Sequence, residues 1–249
     1  KLEITESLLV RGPEQVIPIM NELVMYALAD GVATLTLANG KVNAFSPDLI
    51  ASFHRALDQA EQAGAVVIVT GQPGILSGGY DLKVMQSSPQ AALDLVAAGS
   101  TLTRRMLAHP QPIIIACPGH AVAKGAFLLL AADYRLGVDG PFSIGLNEVK
   151  IGMTMHQVGI AMARDRLTAP AFQRAVINAE MFNPQGALAA GFLDRLTSAE
   201  QLLPTALEVA GQLKQLHAQA HRKTKLKVRK QLLDTLDAAI AADRITGLT

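Results

Sequence analysis

Residues 117–148 decide the fold and read CPGHAVAKGAFLLLAADYRLGVDGPFSIGLNE. Near the start, a glycine-bearing loop leads into an apolar segment that predicts a short buried helix. The first N–H groups of a helix have no partner within it, so such a loop can hold a developing negative oxygen. The stretch ends at Glu148, a lone carboxylate in mostly apolar sequence. Because burial raises the pKa of a carboxyl group, the pattern indicates proton transfer next to a carbonyl.

Outward from this stretch, the sequence alternates strand, loop and helix. Two alternating runs around Asp30 and Gly31 are typical of a β-hairpin, and short apolar runs are typical of strands buried on both faces. The predicted strands are residues 23–37, as the hairpin, 65–70, 113–117, 134–138 and 142–144. The predicted helices are 47–63, 89–107 and 126–132, and nearly everything from residue 156 onward. Residues 71–79 are expected to be a turn-rich loop. The pattern predicts an α/β fold with parallel crossovers.

The composition is that of a globular protein with a large core. The chain has 249 residues, of which 50% are hydrophobic and 17% charged, and its net charge of +1 gives no general attraction to nucleic acid. The single cysteine, Cys117, excludes an internal disulfide and fits a reducing compartment. No stretch predicts a membrane span. We divide the chain into a leader or expression segment (1–19), a core (20–192) and a C-terminal helical region (193–249).

Two loops are candidates for binding a negative oxygen. In LSGGYDLK, residues 76–83, the glycine pair lets a ligand approach the main chain, and the N–H of Tyr80 could point into a cleft. The alternative is an ordinary turn before a helix. In AKGAF, residues 123–127, the loop meets the start of an apolar helix, whose dipole adds positive charge. The alternative there is a plain strand-to-helix turn.

Three side chains near the end of the deciding stretch are candidates for chemistry. Glu148 has apolar sequence neighbours, although a surface carboxylate paired with Lys150 or Arg164 is the alternative. Asn147 could order a water or a thioester group, or cap a turn. His156 could touch a substrate, but it could also cap the following helix or line a pocket wall. The histidines show no metal-ligand spacing, so we expect no metal site.

A basic run, HRKTKLKVRK, covers residues 221–230 and contains no acid. Such a run is most often a solvated helix face. It could also meet the phosphates of a nucleotide-bearing ligand or of nucleic acid, although no aromatic residues interleave it, which weakens the nucleic-acid interpretation.

In order and spacing, these segments resemble the crotonase family, the enoyl-CoA hydratase/isomerase superfamily. The resemblance is carried by KVNAFS, AVVIVT, SGGYDLK, PIIIACPGHAVAKGAF, ADYRLG and SIGLNEVKIG. It implies the crotonase fold, a spiral of ββα turns with C-terminal trimerisation helices, and hence a homotrimer or homohexamer. It also implies an acyl-CoA thioester as substrate, with coenzyme A as part of the substrate, no further cofactor and a cytoplasmic location.

The resemblance also implies roles for individual residues. The backbone N–H groups of Tyr80 and Lys124 match the oxyanion hole, and Glu148 matches a catalytic glutamate. The matching substrate-binding positions are Val42, Ala44, Gly79, Asp81, Leu82, Lys83, Gly125, Phe127, Asn147 and His156. Lys124 stands where the family usually has glycine, so its side chain is expected either to point outward or to enter the cleft and meet a phosphate or a carboxylated substrate.

Hydratases of the family use two glutamates, and Phe127 stands at the position of the first. A single retained glutamate is similar to the Δ3,Δ2-enoyl-CoA isomerases, in which one base moves a proton from C2 to C4. The alternatives are an enoyl-CoA hydratase or another crotonase-type lyase or hydrolase, since a fold does not determine chemistry. An alternative of another class is an inactive protein that binds acyl-CoA or RNA.

Overall fold

The computed structural model describes residues 23–246, so the predicted leader over residues 1–19 lies outside the described residues. The strands are β1 (Val24–Ala29), β2 (Val32–Leu37), β3 (Val66–Thr70), β4 (Gly74–Ser77), β5 (Ile113–Cys117), β6 (Gly119–Val122), β7 (Tyr134–Val138), β8 (Ile144–Gly145), β9 (Met181–Phe182) and β10 (Arg195–Thr197). The helices are α1 (Pro47–Gln62), α2 (Leu82–Ser87), α3 (Pro89–Ala108), α4 (Lys124–Ala131), α5 (Gln157–Arg166), α6 (Ala169–Val176), α7 (Pro184–Ala190), α8 (Leu202–Lys214), α9 (Ala218–Val228) and α10 (Lys230–Thr246), with a 3₁₀ turn over Val149–Ile151.

The strands form two sheets. The larger has the order β1-β2-β3-β5-β7-β10, in which only the β1–β2 hairpin is antiparallel. The smaller has the order β4-β6-β8-β9, and its first three strands are parallel. Each of three successive strands of the large sheet is followed by one strand of the small sheet and then by helix. This confirms the predicted α/β fold and its spiral of ββα turns.

Both faces of the large sheet are buried, as its apolar strands predict. On one face, Val67 and Val69 of β3 belong to the main core, which contains α1, α3 and α4. On the other face, Val66 and Ile68 pack in a second cluster, where α8 contributes Leu202 and other apolar residues. Alternate residues of one strand therefore serve two cores, which is why β3 reads as a continuous apolar run.

Local signals set the boundaries of the long helices. Ser46 caps α1, its side chain accepting a hydrogen bond from the Leu49 N–H at 3.2 Å, and Pro47 occupies the first helical position. Ser88 and Pro89 begin α3 in the same way, with the Ala91 N–H 3.1 Å from the serine hydroxyl. These helices and the hairpin were predicted correctly to within a few residues.

Of the short strands, only β8 was predicted, and the expectation that residues 71–79 are a loop is wrong. That segment contains β4, and the presumed loop before α4 contains β6; β8 covers Ile144–Gly145 rather than 142–144. Within the described part of the almost wholly helical C-terminal region, β9 and β10 are further exceptions. Strands of two to four residues have no measurable period of their own and form only because a distant strand pairs with them.

The C-terminal helices pack on the core of the same chain. Besides α8 under the large sheet, α10 packs along both α3 and α5. The basic run lies in α9 and its junction with α10, where Lys225 and Arg229 point inward to Asp133 at 2.6 and 2.9 Å. The solvated-face interpretation is therefore wrong for these two cations. No helix among residues 23–246 is long and apolar enough to cross a membrane.

Candidate active site

The small sheet brings the two candidate loops together. Strands β4 and β6 are parallel neighbours, with Ser77 opposite Ala121, so the loops that follow them start side by side. A Cβ placed on Gly79 would lie 3.2 Å from the Ala123 Cβ and 4.0 Å from the Lys124 nitrogen. Gly79 also has a φ of +113°, which side-chain-bearing residues rarely adopt. A glycine is thus needed where the loops meet.

Two backbone amides at this junction are free. Within residues 23–246, neither the Tyr80 N–H nor the Lys124 N–H has a hydrogen-bond acceptor. Helix α4 begins at Lys124, and Ala123 before it has φ 50° and ψ −115°, a strained conformation for alanine. The arrangement therefore presents two adjacent N–H groups, one at a helix start, that can donate to a single oxygen.

Glycine is also required beneath these amides. A Cβ on Gly125 would overlap the carbonyl oxygen of Ser77, so α4 can start this close to β4 only with glycine there. The Ser77 hydroxyl donates to the Asn43 carbonyl at 2.7 Å and accepts from the Gly79 N–H at 3.1 Å. Sequence reasoning missed the roles of Ser77 and Asn43, and the signal available was that each is a polar residue inside a predicted binding segment.

Asn43 ties the KVNAFS segment to the glycine loop. Its side chain is fully buried, donating to the Leu76 carbonyl at 3.1 Å and accepting from the Asn39 N–H at 2.9 Å. The Val42 carbonyl accepts from the Gly78 N–H at 2.8 Å, which brings the two segments alongside each other. The half-exposed Val42 and the half-buried Ala44 therefore lie next to the glycine loop.

The glycine loop ends where α2 starts. The Asp81 carboxylate accepts from the Lys83 N–H at 2.9 Å and caps this helix. Leu82 has 61% of its surface exposed, and Lys83 is exposed as well. These three residues thus form the outer part of the loop, while Gly79 and the Tyr80 amide form its inner part.

Glu148 lies after β8 and is buried, with 6% of its surface exposed. Its Oε2 has no hydrogen-bond partner within the described residues, and burial raises the pKa of its carboxyl group to about 7. The predicted burial is confirmed, but the proposed surface pairing with Lys150 or Arg164 is absent from residues 23–246. A carboxyl group with this pKa can both accept and return a proton near neutral pH.

Two further residues lie close to Glu148, Tyr80 in space and Asn147 in sequence. Burial raises the pKa of the Tyr80 phenol, and the charge of Glu148 raises it further, so the tyrosine side chain and the carboxylate interact electrostatically. The Tyr80 hydroxyl donates to the Val96 carbonyl of α3 at 3.4 Å. Asn147, the residue before Glu148, has a buried Oδ1 without a partner among residues 23–246. Both Asn147 and Glu148 thus have an unused polar atom.

Phe127 and His156 form an apolar wall. Phe127 is 2% exposed, and its ring meets the His156 ring edge to face with centroids 5.1 Å apart. Burial lowers the pKa of His156 to about 4, against an opposing effect of Asp243, so the imidazole is neutral at neutral pH. His156 precedes α5, but its side chain does not cap the helix. The Asp243 carboxylate of α10 accepts from the Gln157 N–H at 2.8 Å instead.

The Lys124 side chain is buried, with 1% of the residue exposed, so the expectation that it points outward is wrong. Its Nζ donates to the Gly99 carbonyl of α3 at 2.5 Å and lies 5.8 Å from the centre of the Phe45 ring. Burial lowers the pKa of the ammonium group to about 7.

Other candidate chemistry is not supported. No cluster of potential metal ligands occurs among residues 23–246. The Cys117 thiol is buried at the end of β5 and has its pKa raised to about 12 by burial, so it is a poor nucleophile. A surface cavity of about 300 Å³ lies between α1, α3 and α9, and none of the predicted site residues lines it.

Comparison with known proteins relates this geometry to a family. A family model described as enoyl-CoA hydratase/isomerase matches residues 28–246. A crystal structure of an enoyl-CoA hydratase/isomerase family protein from Pseudomonas syringae is 72% identical, with a TM-score of 0.91 over 92% of this chain and 100% of that chain. Human mitochondrial enoyl-CoA delta isomerase 1 is 28% identical over 218 residues, 86% of this chain and 72% of that protein. Crotonyl-CoA hydratase of Syntrophomonas wolfei is 25% identical over 207 residues, 81% of this chain and 79% of that protein.

Proposed function

We propose, from the premise that this chain belongs to the enoyl-CoA hydratase/isomerase family, that it isomerises a 3-enoyl-CoA to a 2-enoyl-CoA. Family membership makes the chain an enzyme of the hydratase/isomerase type. In this proposal Glu148 is the single acid–base group, and the amides of Tyr80 and Lys124 hold the thioester oxygen.

The observation that carries the proposal is the buried, unpartnered carboxylate of Glu148. Only one other carboxylate among the residues with described side chains is buried, that of Asp243. Its two oxygens accept hydrogen bonds from the Gln157 and Val158 N–H groups at 2.8 and 3.3 Å. Phe127, where hydratases of the family have a second glutamate, can neither donate nor accept a proton. These facts favour one proton carrier over two.

The proposed reaction follows from these groups. With the thioester oxygen between the Tyr80 and Lys124 amides, the Glu148 carboxylate takes a proton from C2. The electrons of the C2–H bond move into the conjugated system, forming a dienolate whose negative oxygen the two amides stabilise. Glu148 then returns the proton to C4, which leaves the double bond between C2 and C3. A dry wall of Phe127 and neutral His156 keeps water from intercepting the proton.

The proposal includes a route for the rest of the substrate. The coenzyme A part is taken to lie along Val42 and Ala44 and along the outer loop of Asp81, Leu82 and Lys83. Leu82 and Lys83 are exposed, and Asp81 is half-buried. The homotrimer or homohexamer, the cytoplasmic location and the absence of any cofactor besides coenzyme A are carried by the resemblance alone and belong to this proposal.

The test supplies 3-hexenoyl-CoA and follows the ultraviolet absorbance of the conjugated 2-enoyl product. We expect turnover by the wild type and a loss of at least a hundredfold in Glu148→Gln, which keeps the shape but cannot take up a proton. Glu208→Gln, an exposed carboxylate of α8, is the matched control and should retain full activity. Equal rates for wild type and Glu148→Gln would defeat the assignment.

Hydration of a 2-enoyl-CoA is a second candidate, and one observation favours it. The buried Oδ1 of Asn147, the residue before Glu148, has no partner within the described residues, so it could accept a hydrogen bond from a water. Mass spectrometry of the products separates the candidates, because isomerisation leaves the mass unchanged and hydration adds one water. Consumption of neither substrate, with retained acyl-CoA binding, would indicate an inactive binding protein.

A further inference from the structure

The residue that supplies one proposed oxyanion amide also carries a buried cation. The Lys124 Nζ is held by the Gly99 carbonyl at 2.5 Å, and the residue is 1% exposed. Among residues 23–246, no carboxylate lies within ion-pair distance of this ammonium group. A buried charge without an opposite charge is costly, and this cost is what lowers the pKa of the ammonium group to about 7.

We propose that the Lys124 ammonium group stabilises the negative charge that develops on the thioester oxygen. This inference rests on the proposed function. The oxygen would lie at the Lys124 N–H, only one lysine side chain's length from Nζ. In the free protein the ammonium lacks an opposite charge, and the thioester is neutral. The attraction arises only when the oxygen becomes negative, so it lowers the barrier without tightening ground-state binding.

The surroundings of Lys124 allow its charge to act over this distance. Its charge acts on two titratable groups, His54 of α1 and His156, and the apolar ring of Phe45 lies 5.8 Å from Nζ. Burial is the main cause that lowers the pKa of His54 and of His156. The charge of Arg105 lowers that of His54 further, and the Lys124 charge lowers both, so both imidazoles are neutral near neutral pH. The nearby charges are Glu148 beside Tyr80, Asp243 beside His156, and Arg105 with Asp58 beside His54. With so little solvent to screen the ammonium, its field reaches the thioester oxygen.

The proposal predicts how kcat changes with pH. Glu148 must be deprotonated to take the C2 proton, so activity rises as the pH passes its pKa of about 7. Lys124 must be protonated to stabilise the dienolate, so activity falls as the pH passes the pKa of its ammonium group, which burial lowers. The profile of kcat is therefore bell-shaped with an optimum near neutrality, and the alkaline limb belongs to Lys124.

The test compares the wild type with Lys124→Met, which keeps an unbranched side chain only one atom shorter and removes the charge. Opposite charges at this separation in a protein interior predict a kcat lowered about ten- to a hundredfold. The Kd of hexanoyl-CoA, a saturated analogue that forms no dienolate, should stay within about twofold because the amide is retained. The alkaline limb should disappear. Lys227→Met, an exposed lysine of α9, is the control and should change none of these quantities.

Several outcomes overturn the inference. A kcat of Lys124→Met within threefold of the wild-type value would do so. An equal loss of kcat and of hexanoyl-CoA affinity would do so as well, because it would indicate that Lys124 has only a structural role. If Lys124→Met does not fold, the wild-type profile decides, because a kcat that stays constant up to pH 9.5 is incompatible with a charged Lys124 being required. Absence of isomerisation by the wild type refutes the proposed function and this inference together, whereas an active wild type with an equally active Lys124→Met refutes only this inference.

Discussion

Replacing Asp133 by Asn is expected to destabilise the fold strongly. One Asp133 oxygen accepts from the Ile113 N–H at 2.7 Å and from Lys225 Nζ at 2.6 Å, and the other lies 2.9 Å from Arg229. The side chains of these cations are only 4% and 12% exposed. Asn keeps an acceptor for the amide but leaves two nearly buried cations without a counter-charge, and breaking a buried pair costs about 3–5 kcal/mol.

Urea unfolding followed by circular dichroism measures this change. With a slope of about 2–3 kcal/mol per molar urea, the midpoint should fall by about 1–2.5 M while the slope stays the same. The matched control is Asp237→Asn, which removes a carboxylate from the exposed pair with Arg104, where the side chains are 34% and 55% accessible. That change should cost about 1 kcal/mol or less.

An equally small shift in both variants would refute the reasoning. It would mean that Lys225 and Arg229 do not depend on Asp133 and that α9 is held in place by other contacts. The basic run would then be free to serve a ligand, as one interpretation of the sequence allowed. A large shift for Asp133→Asn alone would show that Lys225 and Arg229, two of the six cations of the basic run, stabilise the fold.

Three further predictions concern the candidate active site. Folding raises the pKa of Glu148 from 4.5 to about 7, so the free energy of unfolding falls as the pH rises through this window. Glu148→Gln should therefore raise the free energy of unfolding by roughly 3 kcal/mol at pH 8 but change it little at pH 4.5. Urea titration at both pH values measures this difference. Gly125→Ala forces overlap with the Ser77 carbonyl and should lower kcat at least tenfold in the isomerase assay, because the amide at the start of α4 moves. Asp243→Ala removes acceptors from the Gln157 N–H and its neighbour and should lower the melting temperature by several degrees, measured by calorimetry.

Local chemistry was sufficient to predict the hairpin and the long helices. A turn sequence such as Asp30–Gly31, or a cap such as Ser46 followed by Pro47, acts within a few residues, so its effect can be read directly from the sequence. The same holds for β3 and β5, whose uninterrupted apolar runs require burial on both faces. The segments that carry the candidate site could also be listed, because each has an unusual composition.

The tertiary structure decided how those segments meet. The strands β4, β6 and β8 exist only by pairing across the chain, and this pairing sets the Tyr80 and Lys124 amides side by side. The burial of Glu148 shows the difference clearly. Its apolar sequence neighbours Val149 and Ile151 are 44% and 53% exposed and do not shield it. Residues distant in sequence bury the carboxylate and raise its pKa, and the same is true of the Lys124 ammonium. A free energy of desolvation depends on everything within a few ångströms in space, which a linear pattern does not contain.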